Sequence, residues 1–350
     1  MRYPEFLKPG GTIGFLAPSF GCATEPYKSA FESAHGFFKN EGLKTILGPN
    51  CYKAEGLGIS NKPVECAKEL NELYASDECD ALISCGGGEL MCEILPYVDW
   101  ELIKSSKPKW YMGYSDNTNF TYLSNVIADT AAIYGPCAPT FGMVPQYESV
   151  RDAFEVLKGN KLTVHNYDMW EKESLKDEEH PLTPYNLTEK YKQSIFTSEN
   201  AYSAPISGSE VHMEGRLIGG CVDILVNFLG TRFDKTADFI EKYKDDGIIW
   251  FLECCDLTPM SIRRAFFQMK YAGWFENAKG FIIGRPLHFD EEMMGVDRFN
   301  AVTDIIKDTG CPVIMDTDIG HLPPQMPIIS GACADISASE NTLNIKYALK

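Results

Sequence analysis

The chain has 350 residues, 44% of them apolar and 23% charged, a balance that lets folding bury enough side chain to offset ordering entropy and excludes a disordered protein. Acidic residues outnumber basic ones by 49 to 32, and the formal charge of -17 argues against a nonspecific grip on nucleic acid polymers or anionic lipid. With no membrane-length apolar run and no signal-like opening, the expected setting is cytoplasmic, with no membrane partner, and the length admits two domains of ordinary size.

Thr12 to Pro18 reads as a buried first strand, and Ser19 to Cys22 as the loop after it. From Tyr27 to Asn40 the residues Ala30, Phe31, Ala34, Phe37 and Phe38 share one face of a 3.6-residue period, which predicts a helix that Gly42 stops. A second helix is predicted from Pro63 to Tyr74, and Ala81 to Cys85 forms the next short apolar run. That run ends in Gly86, Gly87 and Gly88, where backbone amides can approach a ligand closely or simply make a tight turn. Trp110 to Gly113 is a further strand, and a helical pattern with Phe120, Leu123, Val126 and Ile127 follows Tyr114 to Asn117. Ser115 therefore stands at a strand-to-helix turn.

Periodicity weakens after Pro139, and the charged, proline-rich and aromatic stretch from Asn166 to Lys192 reads as a linker or as a loop covering a site. Beyond Ser203, Gly219 to Asp223 precede a short helix closed by Gly230, and Gly247 to Leu252 is a buried strand that ends at Glu253. Thr258 and Pro259 open a helix with Ile262, Ala265, Phe266 and Met269 on its buried face. Phe281 to Gly284 and Pro312 to Met315 are strand candidates, the latter leading to His321 on a loop. Alternating strands and helices predict an α/β protein: a flavodoxin-like or Rossmann-like parallel-sheet domain over residues 1-165, a linker or site-covering loop over 166-202, and a mixed α/β domain over 203-350.

The twelve cysteines include no C-x-x-C pair and the six histidines no H-E-x-x-H pattern, so no disulfide scaffold, metal or other cofactor is expected. A serine hydroxyl becomes a useful nucleophile when a base takes its proton, and an imidazole does so best beside a carboxylate that fixes its tautomer. Ser115, His321 and Glu253 supply these three chemistries, each where a strand ends. The backbone amide of Asp116, with that of Gly87 or Gly88, could stabilise a tetrahedral oxyanion, while the Asp116 side chain reads more readily as a cap than as a catalytic acid. His288 is the alternative base, and His35, His180 and His212 read as structural or surface residues.

These segments also resemble a known family. The opening Leu7 to Ser19 (LKPGGTIGFLAPS), Gly87 and Gly88, Gly113 to Asp116 (GYSD) and Tyr134 to Pro136 (YGP) are similar to the LD-carboxypeptidase family of serine peptidases. So are Gly215 to Gly220 (GRLIGG), Gly230 and Thr231, Trp250 to Glu253 (WFLE), Phe281 to Gly284 (FIIG), and Gly320 with His321, in order along nearly the whole chain.

The resemblance implies a Ser115 nucleophile, a His321 base and a Glu253 triad carboxylate, with an oxyanion hole from Gly87, Gly88 and Asp116. It implies a two-domain, often dimeric enzyme that needs no cofactor. The expected reaction is serine-type hydrolysis of the L,D amide bond before a terminal D-amino acid in a muropeptide or small peptide. The alternatives are a microcin-immunity-like amidase acting on peptidyl or aminoacyl nucleotides, and a noncatalytic binding relative. Departures from the family pattern at Glu89 and Cys221, where asparagine is frequent at the latter, bear on substrate binding. Trp170 and Tyr185 are candidates for stacking on a base, with ordinary packing the rival reading for Trp170.

Overall fold

The protein is described by a computed structural model covering residues 1-205 and 210-350, which divides into two compact units. One comprises Met1–Lys161, Glu173–Asn186 and Pro327–Ile329, and the other Leu162–Lys172, Leu187–Met326 and Ser330–Lys350. Among the described residues no helix is long and apolar enough to cross a membrane.

The first unit is built on β1 (Thr12–Leu16), β2 (Lys44–Leu47), β3 (Ala81–Ser84), β4 (Trp110–Gly113) and β5 (Ala132–Tyr134), all paired in parallel. A late segment, Ile328–Ser330, joins β5, and the order across the sheet is Ile328–Ser330, β5, β4, β3, β1, β2. β3 and β4 are buried at every position, as expected of parallel strands covered on both faces.

Helices α1 (Tyr27–Asn40), α2 (Pro63–Ala75), α3 (Trp100–Ser105), α4 (Thr118–Val126) and α5 (Glu148–Leu157) complete this unit. α1 buries Ala30, Phe31, Ala34 and Phe38, and Gly42 takes the left-handed φ of 79° just past its end. α4 is buried from Thr118 to Asn125 rather than along one stripe, because it runs through the core. Sequence periodicity did not reveal α5. Ser149 and Asp152 interrupt its apolar face although both are buried, and Asp152 is held there by Lys161 at 2.6 Å.

In the second unit the strands are β6 (Thr163–His165), β7 (Met169–Glu171), β8 (Leu187–Lys190), β9 (Ser194–Phe196), β10 (Val211–Cys221), β11 (Ile248–Glu253), β12 (Ala278–Gly284) and β13 (Val313–Thr317). With Ile328–Ser330 counted as β14, the chain ends in β15 (Cys333–Ser339) and β16 (Thr342–Ala348). The eight-stranded order is β6-β16-β15-β10-β11-β12-β13-β9, and β7 and β8 form a separate pair. β10 to β13 pair in parallel and the flanking strands antiparallel, a mixed sheet.

Helices α6 (Val222–Leu225), α7 (Thr236–Lys242), α8 (Pro259–Tyr271) and α9 (Asn300–Ile306) follow the parallel strands. Thr258 caps α8 by accepting from the Ser261 amide at 3.4 Å, with Pro259 in the first turn. Trp250 in β11 stacks on Trp274 at 5.8 Å, and burying a side chain of this kind is worth about 2 to 3 kcal/mol. Each unit is α/β, one on a sheet whose strands β1 to β5 are parallel and one on a mixed sheet, as strand-helix alternation predicts.

Candidate active site

Ser115 belongs to the first unit. β4 ends at Gly113, where a Cβ would lie 2.7 Å from the Asn117 side chain, so the turn closes too tightly for any other residue. Tyr114 is extended, Ser115 then takes φ 63°, and a short 3-10 turn (Ser115–Asn117) leads into α4. A non-glycine residue in this left-handed region costs roughly 1 to 2 kcal/mol, which the surrounding bonds must offset. The Ser115 amide donates to the Tyr134 hydroxyl at 3.1 Å. The helix start behind the hydroxyl favours developing negative charge.

The glycine loop is tied directly to this turn. A Cβ on Gly87 would stand 3.2 Å from Ser115 Cβ and 3.3 Å from its Oγ, and one on Gly88 would overlap Ser19 Oγ. Asn117 Nδ2 donates to the Gly86 carbonyl at 2.8 Å, and Tyr111 donates to Asn117 Oδ1. The Gly87 carbonyl accepts from the Phe20 amide at 2.9 Å. Asp116 is fully buried: its carboxylate accepts from Ser19 Oγ, from the Met91 amide at 2.9 Å and from Asn119 Nδ2 at 2.9 Å. Burial outweighs those bonds and pushes its carboxyl up to about 6. The Asp116 side chain thus braces the loops that flank Ser115.

Glu253 and His321 belong to the second unit. Glu253 ends β11 fully buried, paired in register with Cys221 of β10. Gly284 and Gly320 leave room for it, since a Cβ on either would come within 2.9 Å of Glu253 Cβ. Its Oε2 lies 2.9 Å from His321 Nδ1. Burial disfavours the charged ring, but the Glu253 carboxylate, with a hydrogen bond to the Cys255 thiol, holds His321 well above the ordinary histidine value. A proton on Nδ1 facing the carboxylate leaves Nε2 as the basic atom of the neutral ring.

The remaining candidates fall in both units, with Cys221 opposite Glu253. Cys221 is buried with its thiol donating to Asp223 Oδ2 at 3.5 Å, and Glu89 is exposed. Trp170, 8% exposed, lies in the second unit with Arg285 over its ring at 4.2 Å and Phe289 edge-on at 5.3 Å. Tyr185 lies in the first unit, edge-on to Tyr147. His288 is paired with Glu291 and His180 with Asp177 through local contacts three residues apart, and His35 meets Thr45. His212, with Glu214 and Asp335, forms an exposed group on β10 and β15 whose donor atoms lie close enough to hold a metal ion. Sequence reasoning missed Ser19, Asn117 and Tyr134 as supports of the nucleophile turn. Their partners lie up to 97 positions away, and spacing within a motif carries no sign of them.

Family models match both halves of the chain, the LD-carboxypeptidase N-terminal domain over residues 13–135 and the LD-carboxypeptidase C-terminal domain over 214–336. The Microcin C7 self-immunity protein MccF of Escherichia coli is 27% identical over 97% of this chain and 94% of its own length. The "Probable murein peptide carboxypeptidase" of Bacillus subtilis (strain 168) is 25% identical over 98% and 94%. Among solved structures, MccF in complex with glutamyl sulfamoyl guanosine superposes with a TM-score of 0.78 at 23% identity, covering 99% of each chain. An MccF-like protein from Bacillus anthracis str. Ames gives 0.79 at 19% identity over 99% of this chain and 100% of the other. By these matches in both halves, the chain is an enzyme that belongs to the LD-carboxypeptidase family of hydrolases.

Proposed function

We propose that the protein is a serine amidase of the microcin-immunity kind, hydrolysing the amide bond of an aminoacyl or peptidyl nucleotide. Ser115 Oγ attacks the carbonyl as His321 Nε2 takes its proton, and the oxyanion accepts from the Asp116 amide and an amide of the Gly87-Gly88 loop. Collapse breaks the C–N bond, the imidazolium gives its proton to the leaving amine, and water activated by the same ring hydrolyses the acyl ester. Glu253 holds the ring in the productive tautomer throughout.

The observation that carries this reading is the 2.9 Å bond from His321 Nδ1 to a fully buried carboxylate. The acids beside His180, His212 and His288 are exposed to solvent, whereas the one behind His321 is fully buried. The substrate class is supported by the near full-length likeness to MccF, whose solved complexes hold glutamyl sulfamoyl guanosine and aspartyl sulfamoyl adenosine. The likeness to the murein peptide relative supports a second reading, cleavage of the L,D bond of a muropeptide.

Turnover of an aminoacyl sulfamoyl adenosine and of a tetrapeptide ending in D-alanine, measured side by side, tests the choice. The nucleotide conjugate should be cleaved at least about tenfold faster in kcat/KM, a difference of about 1.4 kcal/mol in transition-state binding. Preference for the tetrapeptide would transfer the assignment to the muropeptide reading. Failure of a serine-directed phosphonate to label the protein, with ligand still bound, would point to a noncatalytic relative.

A further inference from the structure

We propose that Asp223 is a positioning residue for the His321–Glu253 pair, acting by clamping the backbone just beyond Glu253. The inference rests on the reading of His321 as general base given above and adds a residue to that machinery.

β10 and β11 run in parallel with Cys221 opposite Glu253, so the residues after each strand emerge side by side. Asp223, two positions past the end of β10, sends its carboxylate across to the neighbouring loop. Oδ2 accepts from the Cys255 amide at 3.0 Å and Oδ1 from the Asp256 amide at 2.8 Å. The Cys221 thiol adds a third donor to Oδ2 at 3.5 Å. The clamped segment meets the imidazole through the Glu253 carboxylate on Nδ1, 2.9 Å away, and the neighbouring Cys255 further favours the charged ring. A carboxylate bridging two successive amides holds a loop more firmly than a neutral acceptor would, because each bond is charge-assisted. It reaches out of its own four-residue helix rather than capping it, which is the geometry of a strut between two loops.

Without that strut the turn after β11 is free to rotate, and a catalytic group displaced by a fraction of an ångström loses rate with little loss of binding. Asp223→Ala should lower kcat on the aminoacyl sulfamoyl adenosine by about 10-fold to 100-fold, with KM within about twofold. Its acid limb of kcat/KM should move to lower pH as the Glu253 contact loosens and the imidazolium loses support. Asp223→Glu, which keeps the charge, should recover part of the rate. Unchanged kcat and pH profile in Asp223→Ala, or a loss of amplitude with the limb unmoved, would overturn the proposal.

If Ser115→Ala and His321→Ala turn over like the parent protein, the general-base reading itself fails. The proton resonance of the His321 ring then decides the role of Asp223 without any substrate. A shifted resonance and titration in Asp223→Ala supports the strut, and an unchanged one removes it.

Discussion

The two halves of the proposed machinery are immobilised by different means. In the first unit the reactive hydroxyl is set by backbone geometry: Ser115 has φ 63°, Gly113 leaves no room for a side chain, Gly87 packs tightly against Ser115, and Asn117 stitches the turn to the glycine loop. In the second unit the imidazole is set by charge, its Nδ1 facing a carboxylate with no exposure to solvent. Backbone constraint is insensitive to protonation, whereas a charge pair changes with pH. The nucleophile turn should therefore tolerate loss of the functional side chain, and the imidazole pair should not tolerate loss of its charge.

The largest expected effect tests the first half of that contrast. Ser115→Ala should lower kcat by roughly 10^4-fold or more while the melting temperature stays within about 2 °C, since the turn is held by its backbone and by Asn117 and the hydroxyl is removed from a partly exposed position. A surviving rate above about one tenth of the parent value would exclude covalent catalysis through this residue.

Glu253→Gln tests the second half and should cost about 10^3-fold in kcat. Because the carboxylate holds His321 above its reference value of 6.5, the parent enzyme should lose kcat/KM as pH falls through a limb higher than 6.5. Glutamine removes the charge and leaves burial, which lowers the ring, so the limb should move down. The matching stability term is fully present below pH 6.5 and is lost as pH rises through the folded value. A pH-rate profile with the limb unmoved would mean that Glu253 acts by shape alone.

Asp116 gives the smallest effect and sharpens the comparison, since it is a buried charge within the backbone-held half. Its carboxyl is raised from 3.8 to about 6, so the folded state binds the proton more tightly, and stability falls as pH rises from below 3.8 through about 6. Across that window the change is at most about 3 kcal/mol. Asp116→Asn cannot titrate, so the stability gap between parent and variant should be wider at pH 4.5 than at pH 7.5 by urea unfolding. An equal gap at both pH values would assign the residue no titration in this range.

The strand and helix framework around Ser115 was legible because each element carries its own signal: apolar runs for β3 and β4, and a 3.6 period for α1. The same logic found β11 and the cap of α8. The β15–β16 hairpin was missed, for Cys333, Ala334, Ser337, Ala338 and Ser339 give a weak alternation that only its pairing with β10 reinforces. Of the site, residue types at strand ends were readable, and the roles came with the family likeness. The supports were not. Ser19, Met91 and Asn119 converge on one carboxylate from three separate parts of the chain, a convergence that exists only in three dimensions.

One strand carries a consequence for how this polypeptide can be made or cut. The outermost position beside β5 is filled by Ile328–Ser330, almost at the end of the chain. During synthesis the first sheet therefore waits, with one margin unpaired, until this distant segment has been translated. A fragment ending after Lys161 would display that raw margin permanently and should self-associate, so dividing the gene at the boundary between family domains would not yield a well-behaved first half.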